Sequence, residues 1–320
     1  MGKLAFLFPG QGAQAVGMGK DFHAEFASAR RVYEHASDLL GWDVARICFE
    51  GPQPELNRTS ISQPAIFVTS LAVVAAMEEA GCELANAAEA AAGLSLGEYS
   101  ALAFADAMSF ADALRVVQTR GRLMEAACEA APGGMVSFIG LDNDQAEAVC
   151  RDAAEGHVLV PANYNSPGQV VASGHKEAIG RAAALAEERG AKRAIPLKVA
   201  GAFHSPLMTP AAERLGEALK GVAISAPTRV IVPNATAEPT RDPEVIAREL
   251  VRQVDHPVLW SQSMQRLVAD GYDRFAEVAP GRVLTGLLRR IEPGAEAINV
   301  STVEQLRQLQ HNSEESEERH

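Results

Sequence analysis

The chain opens on an unbroken apolar run, residues 4–8, that stops at Pro9-Gly10-Gln11-Gly12. A run this short, closed by proline and glycine, reads as a buried strand feeding a tight turn. Residues 22–40 carry apolar positions at helical spacing. Residues 65–77 contain no charge. With Pro64 in the first turn and Gly81 as the stop, they read as a helix buried on all sides. Gly93-Leu94-Ser95-Leu96-Gly97 is a second glycine turn, and helix signals follow at once in Glu98-Tyr99-Ser100-Ala101-Leu102. The alanine-rich run before it, 88–92, favours helix over strand by propensity. A long helix over 110–130 ends before Pro132-Gly133-Gly134.

The middle of the chain changes rhythm. The patterns predict strand at 135–140, helix at 144–154, strands at 158–164 and 169–173, helix at 176–189 and strand at 192–199. That βαββαβ order is the ferredoxin-like split unit. Beyond it the α/β alternation resumes, with strands at 230–232 and 274–278 and helices near 243–254 and 261–270. The fold expected is an α/β domain, 1–130 with 200–310, interrupted by a small α+β subdomain over 131–199. Residues 311–320 hold four Glu, two Ser and one Arg with no apolar residue, the composition of a disordered tail.

Composition narrows the partners. Hydrophobic residues make up 47% and charged residues 22%, enough to fill a sizeable core. A formal net charge of −12 argues against nucleic acid or an anionic membrane as the main partner. It leaves room for a local basic site for a phosphorylated ligand. The apolar stretch 65–77 falls short of the roughly 18 residues a membrane span needs, and the opening run is too short for a signal peptide. The four cysteines, at 48, 82, 128 and 150, lack metal-ligand spacing and read as thiols of a reducing compartment. A soluble, cytoplasmic protein without a metal site is expected.

Four features could carry chemistry. Gly93-Leu94-Ser95-Leu96-Gly97 fits G-x-S-x-G, in which a serine on a sharp turn is held exposed and the N–H after it faces a developing oxyanion. A chance surface turn is the alternative. Gly10-Gln11-Gly12-Ala13-Gln14-Ala15 fits G-x-G-x-x-A, but the acid-ended second strand of a dinucleotide fold is missing, because that region reads as helix. A turn whose N–H groups face negative charge is the better reading. Of the histidines, His204 in Ala202-Phe203-His204-Ser205-Pro206 stands where the chain re-enters the large domain, though a structural histidine is as common. On the 110–130 helix, Arg120 lies about 80° from the centre of the apolar stripe, between Ala113 and Ala127. It is a fork for a substrate carboxylate, or a snorkelling or ion-paired arginine.

Taken together, Phe8-Pro-Gly-Gln-Gly12, Gly93-Leu-Ser-Leu-Gly-Glu98, Thr119-Arg-Gly121, Asn163-Tyr-Asn-Ser-Pro-Gly-Gln169, Ala202-Phe-His-Ser-Pro206 and Val278-Ala-Pro-Gly281 resemble the malonyl-CoA:acyl carrier protein transacylases, in order along the chain. The resemblance implies an α/β-hydrolase-like large subdomain with an inserted ferredoxin-like one. It implies Ser95 as the acyl-accepting nucleophile, His204 as its base and the N–H groups of Gln11 and Leu96 as the oxyanion hole. The Gln253 main-chain carbonyl would orient the histidine in place of a carboxylate such as nearby Asp255. Arg120 would grip the malonyl carboxylate, with Gln63 and Phe203 beside the acyl group. Asn163, Asn165, Gln169, Lys192 and Arg193 would contact coenzyme A. Malonyl-CoA and a holo acyl carrier protein are the implied partners, and no cofactor is implied beyond the thioester substrate. The family usually has His before the nucleophile, where this chain has Leu94. Leu96 and Ala202-Phe203 match the malonyl-selecting members, not the methylmalonyl ones. Two rivals stay open: a serine acyl hydrolase or thioesterase of the same fold, and a nucleotide-binding or scaffold protein using the Gln11 turn.

Overall fold

A computed structural model describes the backbone of residues 2–317 and the side chains of residues 2–311. Two sheets organise it. The larger has five strands, β1 (Lys3–Phe8), β2 (Ala88–Gly93), β7 (Val230–Ile231), β8 (Tyr272–Val278) and β9 (Glu296–Val300), in the order β7-β2-β1-β8-β9. Every pair in it is parallel. Central β1 is apolar on both faces because helices cover both, as parallel sheets require. The chain turns to opposite sides of β1 for β2 and β8, which opens a crevice at the carboxyl ends of the strands.

The smaller sheet holds β3 (Gly133–Ile139), β4 (Leu159–Ser166), β5 (Gln169–His175) and β6 (Arg193–Pro196) in the order β4-β5-β3-β6, with antiparallel neighbours. Helices Asn143–Ala154 and Lys176–Glu188 pack on it around a core of its own. This is the ferredoxin-like topology. Backbone bonds between β4 and Val258 tie its edge to the large subdomain: Tyr164 N–H donates to Val258 O at 2.9 Å and Val258 N–H to Ala162 O at 2.8 Å.

Several local expectations are corrected. Residues 88–92 form strand β2, not helix. Pairing with β1 and β7 on its two edges outweighs alanine's helix propensity, and the small side chains let the covering layers approach. The predicted helix 22–40 is broken at Phe26 into Lys20–Glu25 and Ala27–Leu40. The second piece is capped from a distance, the Glu79 carboxylate accepting the Ala27 and Ser28 N–H groups at 3.3 and 2.6 Å. The core helix begins at Thr59, so Pro64 is interior to Thr59–Glu79 and costs one helical hydrogen bond. That helix has the length and hydropathy of a membrane span, yet 78% of its apolar window is buried inside the protein. β6 is half the length predicted, and the helices Thr209–Leu219 and Val283–Ile291 and strand β9 escaped the pattern reading.

The tail expected to be disordered from residue 311 continues the helix Val303–Glu317, and residues 318–320 lie outside the described ones. Docking of its first turns supplies the costly helix nucleus, from which polar residues propagate cheaply. Arg307 reaches Glu25 at 2.5 Å, and Val303 N–H donates to Asp21 at 2.8 Å. All four cysteines are buried and unpaired.

Candidate active site

The crevice at the carboxyl ends of β1, β2 and β7 is built on two backbone approaches that only glycine permits. A Cβ on Gly93 would fall 1.9 Å from the Gly97 carbonyl carbon, and one on Gly97 would fall 2.0 Å from Phe8 O. The strand–turn–helix therefore closes tightly, and Ser95 takes a left-handed φ of 53° at its apex. For a residue with a Cβ that conformation costs about 1–2 kcal/mol. His204 is also left-handed, at φ 56°.

These two strained residues meet. Ser95 Oγ lies 2.8 Å from His204 Nε2. His204 Nδ1 lies 2.7 Å from the main-chain oxygen of Gln253, the residue that ends helix Pro243–Arg252. A carbonyl only accepts, so Nδ1 carries the proton and Nε2 presents its lone pair to the serine hydroxyl. Burial, and secondarily the Arg120 charge, push the imidazole down to about 4, so it is neutral at pH 7. Asp255 makes no hydrogen bond to His204: it accepts from Thr209 Oγ1 at 2.8 Å and pairs with His256 at 2.6 Å, acting on the imidazole only as a weaker through-space charge.

Arg120, only 1% exposed, projects from helix Phe110–Ala130. Its guanidinium donates to Gln63 Oε1 at 2.8 Å, Gln253 Oε1 at 2.9 Å and Ser95 Oγ at 3.0 Å, and sits 5.5 Å over the Tyr99 ring. Among the described residues no carboxylate lies within ion-pair distance of it, and its Nε–H has no partner. Its hydrogen-bond acceptors are all neutral and the buried Glu98 carboxyl acts on it only beyond ion-pair distance, so the guanidinium fork is suited to an incoming anion. The main-chain N–H groups of Gln11, past the end of β1, and of Leu96, at the helix start, donate to no protein acceptor among the described residues. Gln11 lines the crevice and Leu96 directly follows Ser95, so these two free N–H groups are the candidates for an oxyanion hole.

The cleft above these groups has a volume of about 450 Å³. Ser95, His204, Arg120, Gln63, Phe203 and Gln11 form its floor and one wall; Asn163, Asn165 and Gln169 come from the small subdomain across it. Leu94 and Met124 add apolar surface. Lys192 and Arg193 are not in this cleft. They line an adjoining depression of about 630 Å³ with Arg282 and Arg290, joined to the cleft through Gln169, Val283 and Leu287. Gln169 Oε1 accepts from Arg290 at 2.8 Å.

Two buried residues at the floor were missed as site residues. Asn234 follows strand β7, and its side chain accepts the Ser95 N–H at 2.5 Å and donates to Gly93 O at 2.7 Å. Its position just past a strand end was the available signal. Glu98, the last residue of the glycine-turn motif, accepts from Asn234 N–H and the Gln253 amide.

The chain matches the acyl transferase domain model over residues 5–319. It is 43% identical over 303 residues to the malonyl CoA-acyl carrier protein transacylase of Haemophilus influenzae, covering 95% of this chain and 96% of that one. The crystal structure of an acyl carrier protein S-malonyltransferase from Vibrio cholerae superposes with a TM-score of 0.92 at 40% identity, covering 96% and 99% of the two chains. A malonyl-transacylase solved in complex with its type II polyketide synthase acyl carrier protein is equally similar, with a TM-score of 0.92 at 39% identity over 97% and 99%. With the crevice, its serine–histidine pair and this likeness over nearly the whole length, the chain belongs to the acyl transferase domain family.

Proposed function

We propose that this chain transfers a malonyl group from malonyl-CoA to the phosphopantetheine thiol of an acyl carrier protein through a malonyl-Ser95 intermediate. The observation that carries the reading is Arg120: a buried guanidinium 3.0 Å from Ser95 Oγ with no carboxylate partner among the described residues. A malonyl carboxylate supplies the missing anion and is held with its thioester carbonyl over the serine. A neutral acyl ester would leave the cation unpaired, which disfavours the hydrolase of the same fold.

In the first half-reaction Ser95 Oγ bonds to the thioester carbon as its proton passes to His204 Nε2. The carbonyl oxygen becomes an oxyanion held by the Gln11 and Leu96 N–H groups. Collapse breaks the carbon–sulfur bond, and His204 returns the proton to the departing coenzyme A thiolate. The second half runs in reverse: the carrier thiol gives its proton to His204 and attacks the malonyl ester, the carbon–Oγ bond breaks, and His204 returns the proton to Ser95 Oγ. Thioester is exchanged for thioester, so no cofactor is needed to drive the transfer.

Asn163, Asn165 and Gln169 face the pantetheine arm across the cleft, and Lys192 and Arg193 meet the coenzyme A phosphates in the basic depression beyond. The division into residues 1–130 with 200–310, and 131–199, assigns the acyl machinery to one subdomain and much of the coenzyme A contact to the other. We read the protein as cytoplasmic, the compartment suited to exchange between coenzyme A and carrier thiols. Mass spectrometry of the intact protein mixed with malonyl-CoA should show one malonyl adduct, on Ser95, discharged by a holo carrier protein and absent from Ser95→Ala. An adduct that water clears as fast as the carrier does would instead establish a hydrolase.

A further inference from the structure

The floor of the crevice converges on one oxygen atom. Glu98 Oε2 accepts the main-chain N–H of Asn234 at 2.9 Å and Nε2 of Gln253 at 2.7 Å. Asn234 then grips the turn through the Ser95 N–H at 2.5 Å and the Gly93 carbonyl at 2.7 Å. Gln253 grips the same turn from the other side, its Nε2 donating to Ser95 O at 2.9 Å. Both main-chain polar groups of the strained serine are thus held by two side chains, and both of those residues are anchored to Glu98.

We infer that Glu98 is a positioning residue that, through one oxygen, locks Asn234 and the Gln253 carboxamide against the Ser95 backbone and so keeps nucleophile, base and guanidinium in register. The chemistry of the acceptor decides the orientation. A carboxylate facing Gln253 selects Nε2 towards itself and turns Oε1 towards Arg120, where it accepts at 2.9 Å. With the side chain so fixed, the Gln253 main-chain oxygen meets His204 Nδ1. Three groups on three separate segments are therefore placed by one residue that touches none of their reacting atoms.

Glu98 is 1% exposed, and its Oε1 has no hydrogen-bond partner. A buried carboxylate with one idle oxygen is a stability cost that packing alone would not retain. Burial raises this carboxyl to about 7, opposed by the bonds from Asn234 and Gln253 and by the Arg120 charge, and reinforced by Glu249. A proton bound at neutral pH or below goes to the idle Oε1, leaving Oε2 able to accept both bonds.

The inference rests on the acyl-transfer reading, and the test separates the two. Glu98→Leu keeps the bulk and removes the acceptor; Glu98→Gln keeps an acceptor oxygen in place. Malonyl transfer is measured as kcat per acylatable serine, titrated by the burst of coenzyme A release, with KM and thermal midpoint measured alongside. Glu98→Leu should lose at least a hundredfold in kcat with KM within threefold, and Glu98→Gln should recover to within tenfold of the wild-type chain. A merely structural residue would lower the midpoint and the titratable fraction but leave kcat per active serine unchanged, and that outcome overturns the inference. If Glu98→Leu does not fold, Asn234→Ser, which keeps the main-chain bond to Glu98 but shortens the tie to Ser95, should lose kcat at least tenfold; an unchanged kcat overturns it as well. Absence of malonyl transfer in the wild-type chain would overturn the functional reading instead.

Discussion

Under the proposed function, substrate choice rests on one side chain. Arg120 is enclosed by the neutral acceptors of Gln63, Ser95 and Gln253. Charged hydrogen bonds are worth roughly 1.5–3 kcal/mol each, so Arg120→Ala should cost malonyl-CoA at least tens-fold in kcat/KM. Acetyl-CoA has no carboxylate to lose, so the ratio of the two substrates should move towards acetyl. Arg120→Lys keeps the charge without the fork and should also be impaired. Side-by-side kcat/KM for both thioesters checks this; an unmoved ratio would make Arg120 a structural residue. The base makes a second prediction. Burial and Arg120 depress His204 to about 4, and the neutral ring is the form that accepts the serine proton. Single-turnover acylation should therefore stay nearly flat as pH falls from 8 to 5 and drop only as it approaches 4. Half-loss near an ordinary histidine value of about 6.5 would contradict the assigned environment.

At the scale of elements, the strand–turn–helix around Ser95 depends on close backbone contact. A Cβ on Gly97 meets Phe8 O at 2.0 Å, an atom of central strand β1 that cannot retreat without breaking the sheet. Gly97→Ala should destabilise the fold by about 1–3 kcal/mol, as overpacking does, and displace the Leu96 N–H. Denaturant unfolding and the coenzyme A burst, run on the same sample, should both fall. The turn was legible because its glycines and serine are contiguous. Strand β2 before it was not, because alanine's local preference points to helix, and only pairing with β1 and β7 reverses it. The break at Phe26 was hidden for a similar reason, its cap being Glu79, far along the chain.

Across the whole molecule, charge is distributed against its sum. The chain carries −12, yet Lys192, Arg193, Arg282 and Arg290 gather in one depression beside the cleft. Exposed cations act through solvent and are screened over about 8 Å at physiological salt. The double variant Lys192→Ala/Arg193→Ala should raise KM for malonyl-CoA about tenfold at low salt, with kcat little changed and the difference shrinking as salt is added. Malonyl-pantetheine, which lacks the nucleotide phosphates, should show no such change. Equal effects on the two substrates would remove these residues from coenzyme A binding.

By itself the sequence determined what depends on neighbours along the chain. The two glycine turns, the βαββαβ order of the small subdomain and the serine, histidine and arginine standing out from their surroundings were readable because turn chemistry, periodicity and motif spacing are local. The tertiary structure decided whatever depends on distant segments sharing a site. The resemblance pointed to the Gln253 carbonyl beside His204, but that the same residue's side chain accepts from Arg120, and that Asn234 and Glu98 hold the serine turn, follows from β2, β7 and helix Pro243–Arg252 ending at one crevice. Main-chain groups and buried amides leave no mark on hydrophobic patterning, because every residue has a carbonyl and an isolated Asn or Gln reads as loop or surface. Their roles come into being only when folding removes water and leaves each donor a single acceptor.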